Sequence, residues 1–371
     1  MGKSERFHNK YTVEYDKLTS RKVTCLTGPD IGGHVNHHPY FYNKIFTNDD
    51  KNIIYISDQD GNRNIYLLNI DSGNTLQLTD KPGIEDFSPC LYSDDSAIVY
   101  ATQKGIVKLN IGDLSEETLY TSDEAWQFGS FGISADDKYI LLDEMWKADV
   151  VHGSGDWSTF EPQWESKPRC RLVLLNTADK SFHTVLEEPH CWLGHPQIRP
   201  FHNDQLMFCH EGPGHLIDAR IWLINSDGSG MRRATPRKPE ERVTTHEFWL
   251  WDGSRIAFMY NQRDGRSFVK YLDPASLEQE ELMECSHYCH FISNSDNSII
   301  VGDGQPPHEP YLFMIDVKNR SETRLCLHDS SFNSYGTNQD SHPHPAISHN
   351  GKYVLFTSDK AGSPNVYLCE I

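Results

Sequence analysis

The chain has no long apolar run, no CxxC pair, and too few basic residues to balance its acidic ones. Each absence excludes something. Without an apolar run of about 20 residues there is no transmembrane helix. The polar opening Gly2-Lys3-Ser4-Glu5-Arg6 also lacks the apolar core of a secretory signal. The expectation is a cytoplasmic protein with no membrane partner. The cysteines are odd in number and scattered, which argues against a disulfide framework. Cys285 and Cys289 lie near His287 and His290, but reduced, half-buried thiols of a cytosolic fold are the preferred reading. Lys and Arg total 34 against 53 Asp and Glu, a formal charge of −19. A phosphate backbone would be repelled, so no nucleic-acid partner is expected. The same charge sets a condition: a site for an acidic ligand must be locally cationic.

What is present is a repeat. Asn48-Asp49-Asp50-Lys51, Ser93-Asp94-Asp95-Ser96, Ala135-Asp136-Asp137-Lys138, His202-Asn203-Asp204-Gln205, Trp251-Asp252-Gly253-Ser254, Ser295-Asp296-Asn297-Ser298 and His349-Asn350-Gly351-Lys352 are hairpin turns, most of which feed a short apolar strand. Their spacing of about 40–55 residues suits four-stranded blades. The 371 residues are therefore read as one all-β domain, 1–371, a seven-bladed β-propeller of four-stranded blades. The chain ends inside a blade, and an N-terminal strand at about 22–27 supplies the missing strand and closes the ring. The irregular stretch at about 146–168, with Trp146, Gly153, Gly155, Trp157 and Trp164, reads as an insertion over one face.

Three histidines occupy the same place in consecutive repeats. His246, His290 and His344 each stand the same distance before the following turn. Equal register in a propeller means equal position around an axis, so three imidazoles are expected to converge at the channel. Such a group suits a metal ion or a proton abstraction. The competing reading is three strand-capping histidines that meet solvent.

The most informative words lie in the second half: Trp192-Leu193-Gly194-His195-Pro196, Cys209-His210-Glu211-Gly212-Pro213, Asp218-Ala219-Arg220, Thr245-His246-Glu247-Phe248-Trp249, Gly302-Asp303-Gly304 and His342-Pro343-His344-Pro345. At these residues, and at Tyr40-Phe41-Tyr42-Asn43-Lys44 and Phe356-Thr357-Ser358-Asp359, the chain resembles the oligogalacturonate lyases, seven-bladed propeller enzymes of pectin breakdown. The likeness runs from about Thr24 to the C-terminus. It departs from the family pattern at 34–40, which is longer, at 304–311, which is shorter, and in the insertion.

The resemblance implies a divalent ion, manganese, held by Gln339, His342, His344 and a further histidine, taken as His290 in preference to His287. It implies His246 as general base and Arg220 as the essential arginine. The substrate would be a small acidic oligosaccharide, chiefly digalacturonate. His195, His210, Arg199 and Lys44 are candidate substrate contacts, each against the plainer reading of strand-end packing or a solvated cation.

The chemistry agrees. Elimination across C4–C5 of a uronate removes a weakly acidic proton beside a carboxylate, so the dianionic enolate needs a metal, an arginine or both. A neutral histidine is a suitable base near pH 7. Three imidazoles and an amide add no charge, so the ion keeps its full positive charge for an acidic ligand. The rival readings are a lyase of the same fold on another uronate oligosaccharide, and a non-enzymatic platform resembling the TolB propeller. A glycoside hydrolase would need two apposed carboxylates, and no convincing pair stands out.

Overall fold

Six of the blade turns share one backbone solution. Their third residue is left-handed: φ is 56° at Asp50, 62° at Asp95, 59° at Asp137, 67° at Gly253, 59° at Asn297 and 67° at Gly351. Gly, Asn and Asp tolerate this region best, which is why the repeat is written in those letters. The second residue of each turn accepts the backbone N–H two positions on through its side-chain oxygen, at 2.9 to 3.4 Å. The remaining turn, near Asn203, is built differently, with the left-handed residue at Phe201.

These turns feed an all-β, seven-bladed propeller in a computed structural model that describes residues 2–28, 34–152 and 157–371. Gly153 and Gly155 of the insertion lie outside the described residues. Five sheets have four strands and two have five, and every observed pairing between neighbouring strands is antiparallel. The chain forms two compact units. The first is Met1–Ala101, Lys108–Glu117 and Ser286–Ile371; the second is Thr102–Val107 and Thr118–Cys285.

In the first unit, Lys22–Cys25 pairs with Asn365–Glu370, with Val23 opposite Cys369 and Cys25 opposite Tyr367. Two short strands before it had no sequence signal. Thr12–Tyr15 adds to the outside of Lys22–Cys25, and Arg6–His8 pairs with Asn74–Gln77. The N-terminal segment thus contributes to the first and the last sheet, giving each its fifth strand.

In the second unit, alternation along Gln205–His210 serves two cores. Leu206 and Phe208 pack with Leu141, Leu172, Leu174 and Leu193, while Met207 faces Leu223, Trp249, Ile256 and Phe258. Each such side chain contributes about 1.5–3 kcal/mol on burial, so the strand is fixed on both faces. The insertion carries a short helix, Phe160–Glu165. The buried Gln163 ties it down by donating to Asp149 O at 3.0 Å and accepting from Val151 N at 2.7 Å.

Candidate functional site

The first strand of several blades is interrupted by a bulge where the histidines sit. Pairing slips between Gly194 and Gln197, between Thr245 and Phe248, and between Tyr288 and Phe291. His195, His246 and His290 lie inside these interruptions. His195 and His246 are left-handed, at φ 50° and 53°, and His344, just before Ala346–Ile347, is at 46°. A bulge re-aims a side chain and costs ladder hydrogen bonds, and left-handed non-glycine residues are strained. Recurrence of both at histidines marks these positions as more than strand ends.

In the first unit, His290, His342 and His344 are buried together with their candidate ligand atoms all within 4.8 Å of one another. Gln339 Oε1 lies 2.7 Å from His344 Nε2. A first-row divalent ion bonds imidazole nitrogen at about 2.0–2.1 Å, so donors around one ion stand about 3–4 Å apart. The three histidines are close enough to share one ion after small side-chain adjustments, and Gln339 adjoins them through His344. The electrostatics fit as well. Burial pushes the His342 imidazole down to about 3, with His290 adding to the effect, and burial likewise holds His344 well below its usual value. These two imidazoles therefore stay neutral, the form a metal needs. Asp303 completes it, accepting the backbone N–H of His290 with one oxygen and standing 3.0 Å from His290 Nδ1 with the other. A carboxylate on Nδ1 fixes the tautomer that leaves Nε2 to bind an ion.

Aromatic rings wall this cluster. Tyr40 and Phe87 stand 5.1 and 5.2 Å from the His344 ring, and Phe41 stands 5.6 Å from that of His290. His38 Nε2 lies 3.1 Å from Pro343 O, behind the His342–His344 segment.

In the second unit, Arg220 is buried between two glutamates. Its Nη1 donates to Glu211 Oε1 at 2.6 Å and its Nε to Glu247 Oε2 at 3.1 Å. Burial opposes the guanidinium charge; Cys209, Glu211 and Glu247 overcome it. His195 stands 3.6 Å from each of the same glutamates, and burial lowers its pKa. Arg220 is thus held in a buried salt bridge to two glutamates. His246 is half-buried, with Nδ1 3.3 Å from Thr245 Oγ1. His210 stacks on Trp222 with ring centroids 4.3 Å apart, and burial takes its imidazole down to about 4. The insertion meets this region at Gly212, where an added Cβ would come 2.2 Å from the Trp164 ring.

Comparison with known proteins fits this arrangement. The chain matches the family described as oligogalacturonate lyase over residues 1–371. The chain belongs to the oligogalacturonate lyase family. It is 32% identical over 388 residues to the oligogalacturonide lyase of Pectobacterium atrosepticum and to the oligogalacturonate lyase of Dickeya dadantii, covering 100% of this chain and 98% of each relative. A solved oligogalacturonate lyase in complex with manganese superposes with a TM-score of 0.96 at 34% identity, covering 100% of this chain and 98% of that one. The Vibrio parahaemolyticus oligogalacturonate lyase gives 0.92 at 34% identity, with the same coverage.

Within this member of the oligogalacturonate lyase family, the other candidates from sequence fall elsewhere. His290, and not His287, belongs to the buried triad. Lys44 Nζ is bonded to Asp95 Oδ1, Tyr92 O and Ser93 O at a blade turn. Arg199 bonds Gly253 O through Nε and Gln205 Oε1 through Nη1. Sequence reasoning had named the Gly302-Asp303-Gly304 and His246-Glu247 words without assigning Asp303 or Glu247 a task. It missed Arg63, Asp86 and Asp340 altogether, since no local motif links them. No described helix is long and apolar enough to cross a membrane.

Proposed function

We propose that this protein is a metal-dependent lyase that cleaves short oligogalacturonides, chiefly digalacturonate, by β-elimination, leaving an unsaturated or rearranged keto-uronate end. The observation that carries this reading is the buried cluster of His290, His342, His344 and Gln339 in a member of this family. The ion is taken as manganese, on the strength of the 34%-identical relative solved with it. When bound, it would supply an undiminished positive charge to a uronate carboxylate, in a protein whose formal charge of −19 otherwise repels one.

The chain's own residues do the rest. His246 takes the proton from C5: its left-handed backbone turns the imidazole out of the strand ladder, and it is half-exposed. Arg220 stabilises the carboxylate as charge builds on it, with its guanidinium plane fixed by Glu211 and Glu247. His210 is retained as a substrate contact. His195, between the two glutamates, is read as support for Arg220. Lys44 and Arg199 are read as framework, because their cationic groups are committed at blade turns. Nine free cysteines, mostly buried, support a reducing cytoplasmic location.

The test is to mix the purified protein with digalacturonate, with chelator and with added manganese, and to follow ultraviolet absorbance and product mass. Elimination adds no water, so one product must be lighter than galacturonate by one water. Two products of galacturonate mass would mean hydrolysis, and no metal-dependent turnover would remove the reading.

A further inference from the structure

A second buried cluster stands beside the metal ligands. His37, Asp86 and Asp340 bring their candidate ligand atoms within 4.8 Å of one another. It resembles a metal site in composition, but a cation already occupies it. Arg63 Nη1 donates to Asp340 Oδ1 at 2.6 Å and also to Asp86 Oδ2. The guanidinium fills the seat between the carboxylates, so the cluster is an ion-pair network and not a second metal centre.

The place of Asp340 gives the network its meaning. Asp340 follows Gln339 directly and precedes His342 by two residues, in a stretch between Ser321–Leu327 and Ala346–Ile347 with no strand or helix of its own. A carboxylate gathers this stretch: fully buried Asp340 accepts from Tyr335 N at 2.8 Å, Thr337 N at 2.7 Å and Thr337 Oγ1 at 2.8 Å. Arg63 approaches from a different blade, where it leads into Asn64–Asn69, and reaches the same stretch twice. It bonds Asp340 through Nη1 and Tyr335 O through Nη2 at 3.0 Å. Removing it would leave buried carboxylates uncompensated and release both ends of the turn. A metal centre with three of its ligands on a loop needs that loop fixed before the ion arrives.

We propose that Arg63 is a positioning residue for the metal centre, clamping residues 335–340 through Asp340 so that Gln339 and His342 are presented to the ion. This rests on reading Gln339, His342 and His344 as ligands. Planar, forked Arg63 holds a carboxylate and a carbonyl at once; lysine keeps the charge but reaches one partner at a time.

The experiment titrates Mn2+ into chelator-stripped full-length protein and follows the free-ion paramagnetic resonance signal. Wild type, Arg63→Ala, Arg63→Gln, Arg63→Lys and His344→Ala are compared. The expected result is a Kd raised about 10–100-fold in the Ala and Gln variants, as for other residues that orient ligands. Arg63→Lys should recover part of the loss, and His344→Ala should bind weakest. If Arg63→Ala fails to fold, Arg63→Gln, which keeps a polar side chain with two amide donors, decides. A Kd within twofold of wild type in the folded Arg63 variants, with His344→Ala impaired, overturns the clamp alone. Normal binding by His344→Ala overturns the ligand reading and the clamp with it.

Discussion

Asp303 holds His290 from two sides, taking its backbone N–H with one carboxylate oxygen and standing 3.0 Å from its Nδ1 with the other. The second oxygen also lies 3.3 Å from the backbone N of His344. One buried carboxylate therefore fixes two of the candidate ligands. Replacing it with alanine should weaken Mn2+ binding about 10–100-fold. Equilibrium dialysis against a metal buffer checks this, and unchanged affinity would remove Asp303 from the metal's support.

His246 and His344 should separate by what they lose. His344→Ala is expected to lose metal and activity together. His246→Ala should keep its metal and lose about 10²–10⁴ in rate, the usual worth of a positioned base. Metal content by elemental analysis, beside turnover of digalacturonate, distinguishes them. A metal-loaded His246→Ala with near-normal turnover would place the base elsewhere.

The two glutamates around Arg220 sharpen its prediction. Lysine cannot reproduce contacts to Glu211 and Glu247 from two different nitrogens of one plane. Arg220→Lys should lower kcat by about 10²–10³ while KM changes little, as for a group that acts chiefly in the transition state. Glu247→Gln should give a smaller loss of the same kind. A variant altered in KM alone would make Arg220 a binding residue.

Acid should unfold the protein through histidines outside the metal centre. Burial lowers His38, His210 and His328 to about 4 each, from 6.5. Above pH 6.5 these groups are neutral folded or unfolded, and their contribution is intact. Below it the unfolded chain takes up protons that the folded chain refuses until about pH 4. Each histidine then costs up to about 1.4 kcal/mol per pH unit. The urea midpoint, measured with chelator present, should fall from about pH 6.5 towards 4.5, less steeply in His210→Gln. Buried Asp86, Asp143 and Asp303, each raised to about 7, oppose this loss, so the decisive reading is the difference: a slope unchanged in His210→Gln would mean that His210 titrates alike folded and unfolded.

The repeat was legible because its turns are local. A left-handed third residue and a side-chain acceptor at the second demand Asp, Asn or Gly wherever they occur, as at Asp94-Asp95 and Asp252-Gly253. The turn near Asn203 is an exception: the left-handed position moves to Phe201, which no turn rule would select. The histidines were visible by register, but the bulges that turn them were not, because a bulge changes pairing without changing composition. Glu247 and Asp303 could be seen as words without roles, since their partners Arg220 and His344 are distant in sequence. Arg63 gave no signal at all. An arginine before an apolar strand is ordinary, and its partner Asp340 lies 277 positions away.

The pairing of Val23 with Cys369 bears on how the protein folds. Lys22–Cys25 must find Asn365–Glu370 across a sequence separation that reaches 348 positions between Lys22 and Glu370. The sheet they share can form only once these two distant segments meet. Until then its apolar residues, Val23 and Leu368 among them, are without their final partners. Such non-local pairing is slow and exposes strand edges to aggregation. Refolding yield should therefore fall as protein concentration rises, even where the folded state is stable.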